Sequence, residues 1–249
     1  MARLLNKTAL ITGGTTGIGF ATAQQFLKEG ARVAITGQDA GRVTEAAKQL
    51  GAGVIAIRAN VSSAEDMQAV ATRLQSEFGG LDILFANAGI AKVSPLTDVD
   101  EAHIDEQFDV NVKGVIFTVQ KLLPLLRNPA SILLTSSTAA QQGMAGMSVY
   151  SASKAAVRSL ARSLSAELIG RGIRVNSISP GPVETPIFGK LGLPSETVGQ
   201  MAEQILSGVP AGRFGHVDEI AKLAVYLASD ESSYIVGEDF LIDGGSATL

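Results

Sequence analysis

The chain has no cysteine among its 249 residues and only two histidines, His103 and His216. The first absence excludes a disulfide framework, a zinc-thiolate site and a thiol nucleophile. The two histidines lie far apart and flag no partners, so helix-surface or capping roles are expected of them, and no metal site. Charge is also scarce. Charged residues make up 18% of the chain, 24 acidic against 20 basic, with a formal net charge of -4 and no block of like charges. That excludes the basic footprint of a nucleic-acid binder. Long apolar runs are missing too. After Arg3 and Lys7 the apolar run is only Ala9 to Ile11, too short for a signal-peptide core. The charge-free stretches 8–27 and 128–153 carry too much Gly, Ser, Thr and Gln to sit in lipid. A cytoplasmic protein with neither membrane nor nucleic acid as partner is expected.

Hydrophobic residues reach 46%, enough for a sizeable core. They fall into short β-branched runs at 8–12, 32–36, 53–57, 82–86, 131–135 and 173–178, with a seventh at 239–243. Between these runs lie stretches with apolar residues three or four apart, closed by glycine. Alternation of this kind predicts βαβ units and a parallel sheet covered on both faces. No linker divides the chain, so residues 1–249 read as one domain. The stretch 182–212, rich in proline and glycine around an amphipathic piece at 198–206, breaks the rhythm and reads as a substrate-binding loop or lid.

Directly after the first strand comes Thr12-Gly13-Gly14-Thr15-Thr16-Gly17-Ile18-Gly19, and then a helix. A strand-to-helix turn of this composition can cradle a pyrophosphate on free helix N–H groups. Gly13 suits the tight turn, Gly17 close approach of phosphates, and Gly19 close packing of helix on strand. The Gly-x-x-x-Gly-x-Gly spacing resembles that of the short-chain dehydrogenase/reductase family, and the resemblance runs from about residue 5 to 245. It extends to Asn87-Ala88-Gly89, Asn111, Ser137, Tyr150 with Lys154, Pro180-Gly181 and Asp243-Gly244-Gly245, all in the family's order. Within that family the chain resembles bacterial short-chain alcohol dehydrogenases that reduce ketones. The fold implied is a single-domain, doubly wound Rossmann fold of about seven parallel strands.

Tyr150 and Lys154 are four apart on a helical pattern running from about Ser148 to Ile169, which puts them on one face. A phenol titrates near pH 10, too high for a base at neutral pH, so a neighbouring ammonium has to stabilise its anion. In carbonyl reduction the same hydroxyl donates its proton to the developing alkoxide. Ser137, at the end of the fifth strand, is expected to orient the substrate oxygen, with Ser136 and Thr138 as rivals by residue type. Resemblance to the family gives Asn111 a place in a helix irregularity that holds a water serving Lys154, and gives Lys154 a bond to the nicotinamide ribose. It also implies cofactor contacts from Gly13, Thr15, Thr16, Gly17, Ile18, Gly19, Gly37, Gln38, Asn60, Val61, Asn87, Ala88, Gly89, Pro180, Gly181, Val183 and Thr185.

By the same resemblance, Gly37 stands where the family's NAD-favouring acidic residue ends the second strand, and Thr16 and Gln38 stand where NADP-using members commonly carry basic residues. Arg42 is placed to reach a 2′-phosphate, with Asp39 either opposing it or capping the next helix. The balance leans to NADP over NAD. Asn60 stands where the family has an aspartate contacting adenine; its carbonyl can accept the same bond. Gln141, Met144, Met147, Val183, Ile187, Phe188, Leu191, Leu193 and Met201 are expected to border an apolar pocket for a ketone or secondary alcohol. The competing reading is a dinucleotide-sensing protein of the same fold without catalysis, whose mark would be loss of Tyr150 or Lys154. By family analogy a homo-oligomer, a tetramer, is expected, using Val112, Val115, Phe117, Val119, Val157, Leu160 and Leu164 unless core packing claims them.

Overall fold

A computed structural model describes residues 2–186 and 195–249, with the side chains of 195–198 outside the description. Seven strands form one parallel sheet: β1 (Thr8–Ile11), β2 (Arg32–Gly37), β3 (Ile55–Arg58), β4 (Leu81–Ala86), β5 (Leu126–Thr135), β6 (Ile173–Pro180) and β7 (Asp239–Ile242). Their spatial order is β3-β2-β1-β4-β5-β6-β7. The chain works outward from β1 to one edge, then crosses back to start β4 on the other side of β1. Crossover loops therefore diverge between β1 and β4, and a crevice opens at the carboxyl ends of the strands.

The apolar runs are nearly continuous because both faces of each central strand are buried. In β1, Leu10 faces one core while Ala9 and Ile11 face the other. The first core receives α3 (Ala64–Phe78), α5 (Gly114–Leu122) and α6 (Ser148–Leu168) through Met67, Leu74, Val119 and Val157. The second receives α1 (Gly17–Lys28), α2 (Ala40–Leu50) and α8 (Val217–Ala228) through Phe26, Ala46, Ile220 and Leu227. Val115, Val119 and Val157 are buried in the first core and Phe117, Leu160 and Leu164 pack against it. Six of the seven residues named for assembly thus contribute to core packing, while Val112 is partly exposed and lies in neither core.

Helix ends follow the local chemistry. Asp39 caps α2 by accepting from the Arg42 N–H at 2.7 Å, Ser63 caps α3, and His216 forms a capping box with Glu219 at α8. Gly79 closes α3 at φ 66°, where a Cβ would be strained. His103 sits in the first turn of α4 (Glu101–Phe108), its ring beside the Gln107 amide at 2.9 Å. Both histidines therefore have surface or capping roles, and among the described residues no metal-ligating cluster and no helix long and apolar enough to cross a membrane occurs.

Two strand starts differ from the sequence reading by more than one residue. β3 starts at Ile55 rather than 53 because Gly51 and Gly53 both have positive φ. β5 starts five residues earlier than expected, at Leu126, which pairs with Leu81 before the register shifts. Its first residues are held by polar contacts rather than an apolar pattern: Arg127 bonds Asp82, the Thr8 hydroxyl and the Phe78 carbonyl.

Phe26 is fully buried between α1 and the sheet. Phe26→Ala is expected to destabilise the fold by about 3–5 kcal/mol, read as a lower urea midpoint at unchanged slope; a loss under about 1 kcal/mol would contradict the packing described.

Candidate active site

The turn between β1 and α1 is shaped by close approaches. Gly13 has φ 64°, and a Cβ there would lie 2.9 Å from the Ala88 Cα. A Cβ on Gly19 would stand 2.4 Å from the Gly13 carbonyl oxygen and 2.6 Å from the Asn87 amide. Asn87 donates to the carbonyls of Thr12 and Gly13 at 3.1 and 3.4 Å and accepts from the Thr135 hydroxyl at 3.2 Å. The Thr12 hydroxyl in turn accepts from the N–H groups of Asn87 and Ala88. Strand ends β1, β4 and β5 are thereby tied at one point. Side chains cap the N-termini of α2, α3, α4 and α8, but no side chain caps α1 at Thr16. Its free N–H groups open on a cavity of about 930 Å³.

Gly13, Thr15, Thr16, Gly17, Ile18, Gly37, Gln38, Asn60, Val61, Asn87, Ala88, Gly89, Pro180, Gly181, Val183 and Thr185 all line that cavity, as do Ser137, Tyr150 and Lys154. Gly19 lies beneath the turn and makes room for it. Asn60's side-chain oxygen accepts from the Ser62 N–H and hydroxyl at 3.1 and 2.8 Å, so a bond to an adenine amino group would share that oxygen.

At the far end, β5 grips the start of α6. The buried Lys154 ammonium donates to the Thr135 carbonyl at 2.8 Å, and the Ser136 hydroxyl donates to the Lys154 carbonyl at 2.9 Å. Ser136 is thus committed to holding the helix. Ser137, in contrast, has a hydroxyl that accepts from the Ala139 N–H at 3.2 Å and bonds the Tyr150 hydroxyl. Thr138 also lines the cavity but lies in the short 3-10 turn after Ser137.

Asn111 sits in a π-turn at Asp109–Lys113, an irregularity that widens the helix between α4 and α5. It is fully buried. Its side chain pairs both with the Ile90 backbone, at 2.9 Å each way, and with the Ser153 hydroxyl at 3.0 Å. Ser153 donates to the Tyr150 carbonyl at 2.7 Å. The side chain therefore braces the turn after β4 against the first turn of α6, and its contact with Lys154 is indirect.

Burial pushes the Tyr150 phenol above its ordinary value, and the bond with Ser137 works against that. Burial also lowers the Lys154 ammonium to about 8. The lysine stands 5.9 Å from the tyrosine ring centroid. Lowering of the phenol by the lysine is therefore not what the chain alone sets: desolvation wins, and the Tyr150 phenol is held above its ordinary pKa.

The chain matches, over residues 13–247, a family model described as enoyl-(acyl carrier protein) reductase. It is 39% identical over 249 residues to oxidoreductase asL5 of Sarocladium schorii, covering 99% of this chain and 98% of that protein. This chain belongs to the short-chain dehydrogenase/reductase family. With galactitol 2-dehydrogenase of Agrobacterium fabrum it shares 37% identity over 255 residues, 98% of each chain. The structure of levodione reductase matches at a TM-score of 0.93 and 31% identity, over 99% of this chain and 100% of that one. Short-chain dehydrogenases/reductases are oxidoreductases that bind NAD(P), and the glycine cradle with its uncapped helix fits that group.

Of the expected substrate-pocket residues, Met144, Met147, Val183 and Met201 line the cavity, while Ile187, Phe188, Leu191 and Leu193 lie outside the described residues. Gln141 does not line it: its amide donates to Asp239 at 3.0 Å, a partner on β7 invisible in the sequence. Its neighbour Gln142 lines the cavity instead and donates to the Ser246 carbonyl. Sequence reading also missed Arg58, whose guanidinium donates to the Gln38 carbonyl at 3.2 Å. Only the β2–β3 pairing of Gly37 with Arg58 brings them together.

The lowered Lys154 value sets a pH signature. Between about pH 8 and 10.5 the unfolded chain still holds a proton that the folded chain has released, so this residue makes stability rise with pH through that window. Lys154→Met is expected to remove the rise; parallel unfolding free energies for the two proteins across that range would contradict it.

Proposed function

We propose that the protein is an oxidoreductase that interconverts a hydrophobic ketone and its secondary alcohol with NADP(H), Tyr150 moving the proton. The observation that carries this reading is the Tyr150–Ser137 hydroxyl pair, with Lys154 one turn away, in the same cavity that opens on the uncapped N-terminus of α1. The dinucleotide, when bound, supplies or accepts the hydride. Gly13, Thr15, Thr16, Gly17 and Ile18 would hold its phosphates, Asn87, Ala88 and Gly89 its middle, and Lys154, Pro180, Gly181, Val183 and Thr185 its nicotinamide end.

In the reductive direction the substrate carbonyl oxygen takes a hydrogen bond from Ser137 and a proton from Tyr150 as negative charge develops on it. The resulting phenolate is stabilised by the Lys154 ammonium, and a proton from solvent restores the phenol. Asn111 acts through Ser153, fixing the backbone that carries Tyr150. Residues 182–212 serve as the lid: Val183, Pro186, Met201, Gln204 and Ile205 already face the cavity.

NADP is favoured over NAD by the end of β2. A Cβ on Gly37 would lie 2.5 Å from the Thr15 methyl, so the carboxylate that would oppose a 2′-phosphate has no room there. Asp39 is occupied in capping α2. Arg42 lines the cavity, and Arg58 adds a second guanidinium beside Gln38.

Tyr150→Phe keeps the ring and removes only the hydroxyl that carries the proton; kcat with NADPH and a ketone is expected to fall by about a hundredfold to ten-thousandfold, with NADPH binding retained. Activity above about a tenth of the parent would refute the proton-transfer role. Separately, Arg42→Ala and Arg58→Ala are each expected to raise KM for NADPH by about tenfold, the loss of one charge-assisted phosphate bond, and to leave KM for NADH within about twofold. Equal effects on both cofactors would remove the phosphate assignment.

A further inference from the structure

The chain has five methionines. One is Met1 and another, Met67, is packed in the first core. The other three, Met144, Met147 and Met201, line the same cavity as Tyr150. They pack as one cluster with Ala91, Val93 and the Tyr150 side chain. Two come from the loop leading into α6 and the third from α7 (Ser195–Ser207).

This concentration is not the chain's general habit. Its two large cores are filled by Leu, Ile, Val, Ala and Phe with a single methionine between them. Branched side chains have few rotamers and select by fixed shape, whereas methionine has three rotatable bonds and a polarisable sulfur that packs well against ring edges. The backbone beneath is fixed: the Met147 N–H donates to the Met144 carbonyl at 3.1 Å, and the Gly146 carbonyl accepts from the Ser94 N–H at 2.9 Å. The adaptable part is therefore confined to the thioether ends.

We propose that this methionine cluster is the binding pocket for an uncharged aromatic ring carried by the substrate near its carbonyl. Ring edges meet the sulfurs while the carbonyl oxygen reaches Tyr150 and Ser137. A charged group at this end is disfavoured: the cluster itself is apolar, and Lys92 and Glu106 on the same cavity wall are paired with each other. The proposal rests on the carbonyl-reduction reading for the placement of the ring beside Tyr150.

The test compares benzylacetone with its cyclohexyl counterpart, matched in length and in carbonyl reactivity and differing in aromaticity. With the full-length protein and NADPH, kcat/KM is expected to favour the phenyl ketone by about threefold to tenfold, the range of a few sulfur–ring contacts. The combined variant Met144→Leu, Met147→Leu, Met201→Leu keeps the apolar volume; it is expected to bring the phenyl-to-cyclohexyl ratio to within about twofold, the ratio and not either separate rate being the readout. A ratio near one in the parent, or a ratio unchanged in the variant, overturns the proposal. A second readout needs no turnover: in protein with isotope-labelled methionine methyls, benzylacetone should shift the signals of Met144, Met147 and Met201 and spare Met67. Absence of those shifts overturns the pocket even where ketones are reduced; their presence without reduction upholds the pocket and overturns the reductase reading instead.

Discussion

Asn87 stands where three parallel strands end, and its amide makes the contacts that hold them at one distance. It bonds the last turn of β1 through Thr12 and Gly13 and the end of β5 through Thr135. Such a tie works only because nothing intervenes: the places a side-chain carbon would take on Gly13 and Gly19 are filled by Ala88, Asn87 and the Gly13 carbonyl. A parallel sheet whose order reverses between β1 and β4 opens a crevice there by topology alone. This crevice becomes a site because the tie sets the height of the glycine turn against the Asn87–Gly89 turn, and α1 starts from that turn with its N–H groups unspent. The mirror of this device lies across the sheet end, where Ser136 and Lys154 lock β5 to α6 and leave Ser137 and Tyr150 facing the cavity.

Stability and chemistry pull against each other at Lys154. A buried ammonium with one carbonyl partner is held at a lowered pKa of about 8, which is a cost to folding whenever the group is charged. The neighbouring network limits that cost by being otherwise complete. Asn111 satisfies its buried amide on Ile90 and Ser153, and Ser153 on the Tyr150 carbonyl. Strain is thus concentrated on the two groups that titrate, while those that merely position them are fully bonded.

Much of the fold was legible in the sequence because strands buried on both faces are mostly apolar along their length, as in β1 and β4. The beginning of β5 was not, since Arg127 holds it through three polar contacts that no periodicity announces. At the site, the dinucleotide half was legible for a related reason. It is built from backbone, and backbone that must pass within van der Waals distance of its neighbours needs glycine at fixed spacings. Arg58 escaped notice because it reaches Gln38 only through β-pairing twenty residues away.

The substrate half follows other rules, and Gln141 and Gln142 show why. Both are polar, adjacent and one turn past Ser137; one is drawn out to Asp239 on β7 and the other in to the Ser246 carbonyl. What decides between them is the position of β7 and the tail after it, a hundred residues further on. Asp243 fixes that tail by accepting from the N–H groups of Gly245 and Ala247 at 2.9 and 2.8 Å, and its backbone fills the space a side chain on Gly181 would need. The cavity wall beyond Tyr150 is therefore assembled from the loop after β5, the turn after β6, α7 and the C-terminal turn. Changes in any one of them can reshape the pocket while the glycine turn and the Tyr150–Lys154 pair stay in place. The proteins this chain resembles are correspondingly named for substrates as different as galactitol and levodione.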